Sequence, residues 1–215
     1  MQNKNWRLIL ASQSPRRREI LESAGFSFTT FTSNSSESFD ENLTLEENLC
    51  HIAETKVEIA RSKLSFQKLK GSLILGADTV VVLHDKVFGK PKNIGEARRM
   101  LGKLSGKKHR VKTAFAIFCP DQSRGVTRIV TTWVGFRRLS PLEVKWYVDT
   151  GEPFDKAGGY GIQGLASQFI NFVDGDLLNV VGLPLFAVKQ ELKRQGWNVR
   201  GRAHASKNSN KSGRR

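Results

Sequence analysis

Hydrophobic positions along this chain switch repeatedly between a strand-like and a helix-like period, the pattern of a mixed α/β domain. Leu8 to Leu10 read as a short buried strand, Ser12 to Ser14 break it, and Pro15 is placed to open a helix at its first position. Gly25 is expected to end that helix, after which Phe26 to Phe31 alternates as a strand does. Thr44 and Glu47 form a capping box, and Leu49, Ile52, Ile59 and Ala60 mark one helical stripe running from Leu45 to about Leu69. Leu73 to Leu83 is a nearly continuous apolar strand, followed by a turn over His84 to Lys86 and a brief second strand. The Asn93 and Glu96 cap then opens a helix to about Leu104. Val111 to Cys119 and Val126 to Arg138 read as an antiparallel pair around the turn from Pro120 to Gly125. Ser140, Pro141 and Glu143 start a helix to about Thr150. Phe169 to Val173 is a further strand, and Pro184 to about Gln195 a last helix.

Several polar residues sit where this pattern does not ask for them. Arg16, Arg17 and Arg18 fall on the first turn of a helix, whose N-terminus already carries partial positive charge. Hydroxyls, free backbone N–H groups and guanidinium groups at a strand-to-helix junction suit a phosphate; the plainer reading is a solvated basic turn. Lys56 lies on the apolar stripe between Ile52 and Ile59, where a lysine must snorkel, pair or line a cavity. Asp78 interrupts a buried strand, and such a carboxylate is costly unless paired; it caps a nearby loop or faces a cleft at a strand junction. Lys90 follows a glycine. The segment GEPFDKAGGYGIQG, from Gly151 to Gly164, is too glycine-rich to be a simple connection and reads as a binding loop. GKLSGKK, from Gly102 to Lys108, has its glycines one residue too close for a P-loop and lacks the following Ser or Thr, so it is read as a helix stop and turn.

Composition narrows the class. The 215 residues suit one domain, or one domain with two lobes, and 39% hydrophobic with 26% charged residues is ordinary for a soluble globular protein. Net charge is +15, which invites a polyanionic partner, but six of those charges lie between Arg200 and Arg215 without any acid. That stretch is rich in Ser, Asn and Gly, so the chain divides into a folded domain over 1–196 and a basic, disordered tail over 197–215. Cys50 and Cys119 show no metal or disulfide spacing, and no apolar run is long enough for a leader or a membrane span, so a soluble cytoplasmic protein is expected.

Cations outnumber the carboxylate in this constellation, a ratio suited to a polyphosphate substrate accompanied by a metal. At these residues the chain resembles the Maf family of nucleoside triphosphate pyrophosphatases. The resemblance runs from Leu8 to Leu192 through LASQSPRRREIL, LGADTVVVL, GKP, GEPFDKAGGYGIQG and VVGLPL. It implies an inosine-triphosphatase-like α/β fold, with an elongated mixed sheet flanked by helices and two lobes around a central cleft. It further implies hydrolysis to the monophosphate and pyrophosphate, a divalent metal cation (magnesium or manganese), and a homodimer. On this chain it makes Asp78 the proton acceptor, and Ser12, Arg16, Lys56, Lys90 and Gln163 substrate contacts, with Arg17 assisting. Glu37 is the expected second acid of the metal region beside Asp78.

Arg16, Thr79 and Gln163 match the branch resembling dTTP/UTP pyrophosphatase rather than the branch acting on 7-methyl-GTP, which remains the alternative within the family. Gln163 offers both a donor and an acceptor, as the O4 and N3–H edge of thymine or uracil requires. Val57 departs from the alanine common after the lysine, and Ser35 and Ser36 depart from the usual residues before Glu37. The rival from another class is a basic nucleic-acid-binding regulator, kept open by the family's link with arrest of septum formation. Against it, the sequence has no recognised nucleic-acid-binding motif and no evident aromatic platform among its basic residues.

Overall fold

The computed structural model describes residues 5–32, 38–199 and 201. Within them β1 (Asn5–Ala11), α1 (Pro15–Ser23) and β2 (Phe28–Phe31) form a parallel βαβ unit, followed by α2 (Leu45–Lys63), α3 (Phe66–Leu69) and the long strand β3 (Ser72–Leu83). Next come β4 (Lys86–Phe88), α4 (Ile94–Leu104), and the antiparallel pair β5 (Lys108–Cys119) and β6 (Arg124–Phe136). α5 (Pro141–Asp149), β7 (Ile170–Asp174), α6 (Leu177–Val181), α7 (Leu185–Arg194) and β8 (Asn198–Val199) complete the described chain. The strands form one mixed eight-stranded sheet in the order β2-β1-β3-β5-β6-β7, with β4 against β3 and β8 against β1.

Strand register opens the cleft between the two lobes. β1 pairs with β3 as far as Ala11 opposite Gly76, and β4 resumes on β3 at Val81. Between them, the β3 edge at residues 77–80 has neither β1 nor β4 opposite it, while β5 pairs along its other edge throughout. Alternation along β3 then sorts its side chains. Leu73, Leu75 and Ala77 pack with Leu8, Leu10, Ile20 and Leu21; Val81 and Leu83 continue on that face among Ala97, Leu101 and Tyr147. Ile74, Val80 and Val82 meet Leu49, Ala53, Val57 and Ala60 of α2 on the other face. Asp78 therefore points to the α2 side, and Thr79 to the opposite side.

The main departures from the sequence pattern are one helix end, one missed helix and the C-terminal boundary of the fold, besides shifts of two or three residues at strand ends. The helix expected to reach about Leu69 stops at Lys63, where Leu64 turns extended (φ −86°, ψ 142°), and α3 restarts after Ser65. Arg7 captures that restart, its Nη2 donating to the carbonyls of Gln67, Lys68 and Lys70 at 3.1, 3.1 and 2.6 Å. α6 was not anticipated, because five residues are too few to show a period; the Asp176 side chain caps it by accepting from the Leu178 and Asn179 N–H groups. Packing also continues past residue 196: Trp197 is 2% exposed within the core, and Asn198–Val199 pairs with Asn5 and Trp6. The basic residues from 202 onward lie outside the described residues.

Gly76 sets how closely α2 approaches the sheet. A Cβ there would lie 2.6 Å from the Ala53 carbonyl oxygen and 2.9 Å from Val57 Cγ2. Gly76→Ala is expected to lower stability by about 1–3 kcal/mol through overpacking. Urea unfolding checks this, and an unchanged midpoint would show that α2 can retreat freely.

Candidate active site

The cleft beside residues 77–80 encloses about 890 Å³. Ser12, Arg16, Arg17, Lys56, Asp78, Thr79, Lys90 and Gln163 all line it, so one site gathers residues from α1, α2, β3 and the loops that follow β1, β4 and α5. Glu37 lies outside the described residues.

Lys56 and Asp78 are joined directly. Lys56 Nζ donates to Asp78 Oδ1 at 2.7 Å and to the Ala77 carbonyl at 3.2 Å, and the two side chains are only 9% and 11% exposed. Of the choices open to a lysine on an apolar stripe, this one pairs and lines the cleft. Desolvation strengthens the attraction between the two charges, while breaking the pair would leave one of them buried and uncompensated.

The arginines at the start of α1 divide the work differently from a uniform anion clamp. Ser14 caps the helix, its hydroxyl accepting from the Arg17 N–H at 3.4 Å. Arg17 turns inward and is 8% exposed. Its Nε donates to the Gly182 carbonyl at 2.8 Å, Nη1 to Ser12 Oγ at 3.1 Å and Nη2 to Thr79 Oγ1 at 3.1 Å. Thr79 in turn hydrogen-bonds Thr113 Oγ1 at 3.0 Å, so Arg17 ties α1 to β3 and to the end of α6. Arg16 reaches across the cleft mouth, with Nη1 2.6 Å from Asp155 Oδ2 and Nη2 donating to the Asp155 carbonyl at 3.0 Å. Arg18 is exposed.

The loop after α5 is fixed from within. Two short 3-10 turns, Glu152–Asp155 and Ala157–Gly159, carry it past the cleft. Lys156 Nζ donates to Asp155 Oδ1 at 2.6 Å and to the Glu152 carbonyl at 2.8 Å. Burial raises the pKa of Asp155, but the hydrogen bonds from Lys156 and Arg16 outweigh it and hold the carboxyl below its ordinary range. The Glu152 carboxylate accepts from Tyr147 Oη and from the Leu165 N–H, each at 3.0 Å, and a Cβ at Gly164 would collide with it. Gly158 takes φ +71° against Val81 and donates to the Gly89 carbonyl at 2.9 Å, which seats the loop beside Lys90. Tyr160 Oη is hydrogen-bonded to His109 Nε2 at 2.7 Å in the core beneath the loop. The sequence marks Asp155 and Lys156 as polar residues of the glycine-rich binding loop without giving them partners, and no local pattern marks the Gly182 carbonyl.

Among the described residues, no group of three or more His, Cys, Asp or Glu side chains could hold a metal ion by itself. A magnesium-like ion needs less, since one or two carboxylates with substrate phosphates and water complete its shell. Asp78 in a cation-lined cleft fits an ion that arrives with a polyphosphate.

Fold and cleft together define a two-lobed α/β protein with a buried carboxylate in a basic site. The chain belongs to the Maf family, matching the description "Maf-like protein" over residues 7–195. It is 44% identical over 187 residues to the dTTP/UTP pyrophosphatase of Pseudoalteromonas atlantica, covering 87% of this chain and 96% of that protein. The proteins of the same description from Syntrophus aciditrophicus and Geotalea uraniireducens are 40% and 42% identical, each over 190 residues. Those matches span 88% of this chain, and 90% and 95% of the two relatives.

Burial holds the pKa of His109 down at about 4. The unfolded chain takes up this proton near pH 6.5, so falling pH favours unfolding between about 6.5 and 4, by up to about 3 kcal/mol. Urea midpoints measured across that range should fall more steeply for the native chain than for His109→Gln, and parallel curves would remove His109 from the account.

Proposed function

We infer that this chain is a nucleoside triphosphate pyrophosphatase that hydrolyses dTTP and UTP to the monophosphate and pyrophosphate. The observation that carries the reading is the Lys56–Asp78 pair, set at the unpaired edge of β3 inside a cleft lined by Ser12, Arg17 and Lys90. The descriptions of the relatives supply the substrates.

In this reading Asp78 accepts a proton from the attacking water as a water–oxygen bond forms to the α-phosphorus. The bond from the α-phosphorus to the bridging oxygen breaks, and pyrophosphate leaves with that oxygen. Lys56 holds Asp78 in one orientation through its hydrogen bond to Oδ1. Lys90 and the α1 start offset charge growing on the phosphates. A divalent cation, magnesium or manganese, held by Asp78 and by Glu37 as the family resemblance implies, would neutralise further phosphate charge. Gln163 faces the cleft from the glycine-rich loop and is assigned to the base. The same reading includes a cytoplasmic homodimer, supported by the family resemblance; no helix among the described residues is long and apolar enough to cross a membrane.

The nucleic-acid reading has less support. The half-exposed rings of Phe172 and Trp133 on the outer sheet face are capped by the chain's own Lys108 and Arg110, at 3.7 and 5.7 Å from the ring centres. Covered rings are poor stacking platforms.

Pyrophosphate release should be highest with dTTP and UTP in a panel of nucleotides with magnesium or manganese, and Asp78→Asn should lower kcat by roughly 10²–10⁴-fold. Because that variant leaves Lys56 buried without its charge partner, it should also lose about 3 kcal/mol or more of stability. Near-normal turnover in a folded Asp78→Asn protein would refute the role. Chelation with EDTA should abolish release and added magnesium or manganese restore it; full activity in EDTA would exclude the cation from the reaction.

A further inference from the structure

We propose that Asp155 is a positioning residue for base recognition, locking the Arg16 guanidinium to the glycine-rich loop that carries Gln163. The inference rests on the pyrophosphatase reading and deepens it by naming what sets the preference for pyrimidine nucleotides.

Arg16 stands on the second residue of α1, and Asp155 ends a 3-10 turn 139 residues later. The grip is two-pronged, to the carboxylate at 2.6 Å and to the main-chain carbonyl at 3.0 Å. A passing anion can replace a carboxylate, but it cannot displace the carbonyl without moving the turn. That turn is anchored on both sides: the Lys156 N–H donates to the Pro153 carbonyl at 3.2 Å, and the Glu152 carboxylate holds Tyr147 and Leu165. Arg16 is therefore fixed to a rigid wall, as precise recognition requires.

The proposed phosphate contacts indicate which part of the nucleotide meets that wall. The Asp155 carboxylate takes both Arg16 and Lys156, so these two cations are partly engaged and the cluster keeps one net positive charge. In the pyrophosphatase reading the triphosphate lies against Lys56, Lys90 and the α1 start, which leaves the uncharged nucleoside for the wall formed by Arg16 and Gln163. A guanidinium has five N–H donors, and with two spent on Asp155 others remain for a neutral acceptor such as a pyrimidine carbonyl. Gln163 adds one donor group and one acceptor on the loop that Asp155 holds in place.

The test uses the full chain, with kcat/KM for dTTP and dGTP read from pyrophosphate release, and affinities for both measured by calorimetry in EDTA. Proteins compared are the native chain, Asp155→Asn, Asp155→Glu, Arg16→Gln and the double variant of Arg16→Gln with Asp155→Asn. Asp155→Asn should lower the dTTP-to-dGTP ratio about tenfold, mainly through a higher KM for dTTP, with an unchanged unfolding midpoint. Asp155→Glu should recover much of the ratio, and Asp155→Asn should change it no further once Arg16 is Gln. The proposal is overturned by an unchanged ratio in Asp155→Asn, by independent losses in the double variant, or by a lower KM for both nucleotides. The last result would make Asp155 a stand-in anion that substrate phosphate displaces. A native chain that releases no pyrophosphate sinks the hydrolase reading, while the ratio of binding affinities still decides this one.

Discussion

The buried contact between Lys56 and Asp78 is the constraint on which the site depends. Two opposite charges out of water are tolerable only at close range and with their remaining hydrogen-bonding capacity met, and here Lys56 adds the Ala77 carbonyl to its carboxylate partner. Such a contact is set by how closely α2 packs on the sheet. Gly76, two residues before Asp78, removes the Cβ that would strike Ala53 and Val57, so helix and strand meet closely where the charges must pair. Packing and electrostatics are therefore one arrangement at this point.

The sheet supplies the opening. A strand flanked along its whole length would cover the edge at residues 77–80, and a cleft exists because β1 ends opposite Gly76 before β4 begins opposite Val81. Polar ties then cross the gap. Arg17 joins α1, β3 and the end of α6 through three neutral acceptors, while Arg16 joins α1 to the loop after α5 through Asp155. The inner arginine braces the walls, and the outer one presents a surface to whatever enters.

Glycine here gives closeness and shape more than mobility. Gly158 lies against Val81 at positive φ, Gly164 makes room for the Glu152 carboxylate, and the tyrosine between neighbouring glycines is held by a buried histidine. A segment that looks flexible by composition is thus a moulded wall held in shape by its internal hydrogen bonds.

Periodicity and local chemistry were enough to identify most elements, because caps, turns and apolar stripes are encoded within a few residues of where they act. The start of α1 at Pro15, the capping boxes of α2 and α5 and the β5–β6 pair follow from that local code. Short elements escaped it: α3 and α6 are brief pieces whose ends are set by side chains, including Arg7 from a distant strand. For the site, the sequence alone marked Lys56 and Asp78 as residues out of place, since a charge in an apolar pattern demands an explanation. Only the tertiary structure decided that each was the other's explanation, that Arg17 faces inward while Arg16 meets Asp155, and that Trp197 belongs to the core. Those outcomes depend on contacts between residues far apart in the chain, and no local period or propensity records which distant partner will arrive.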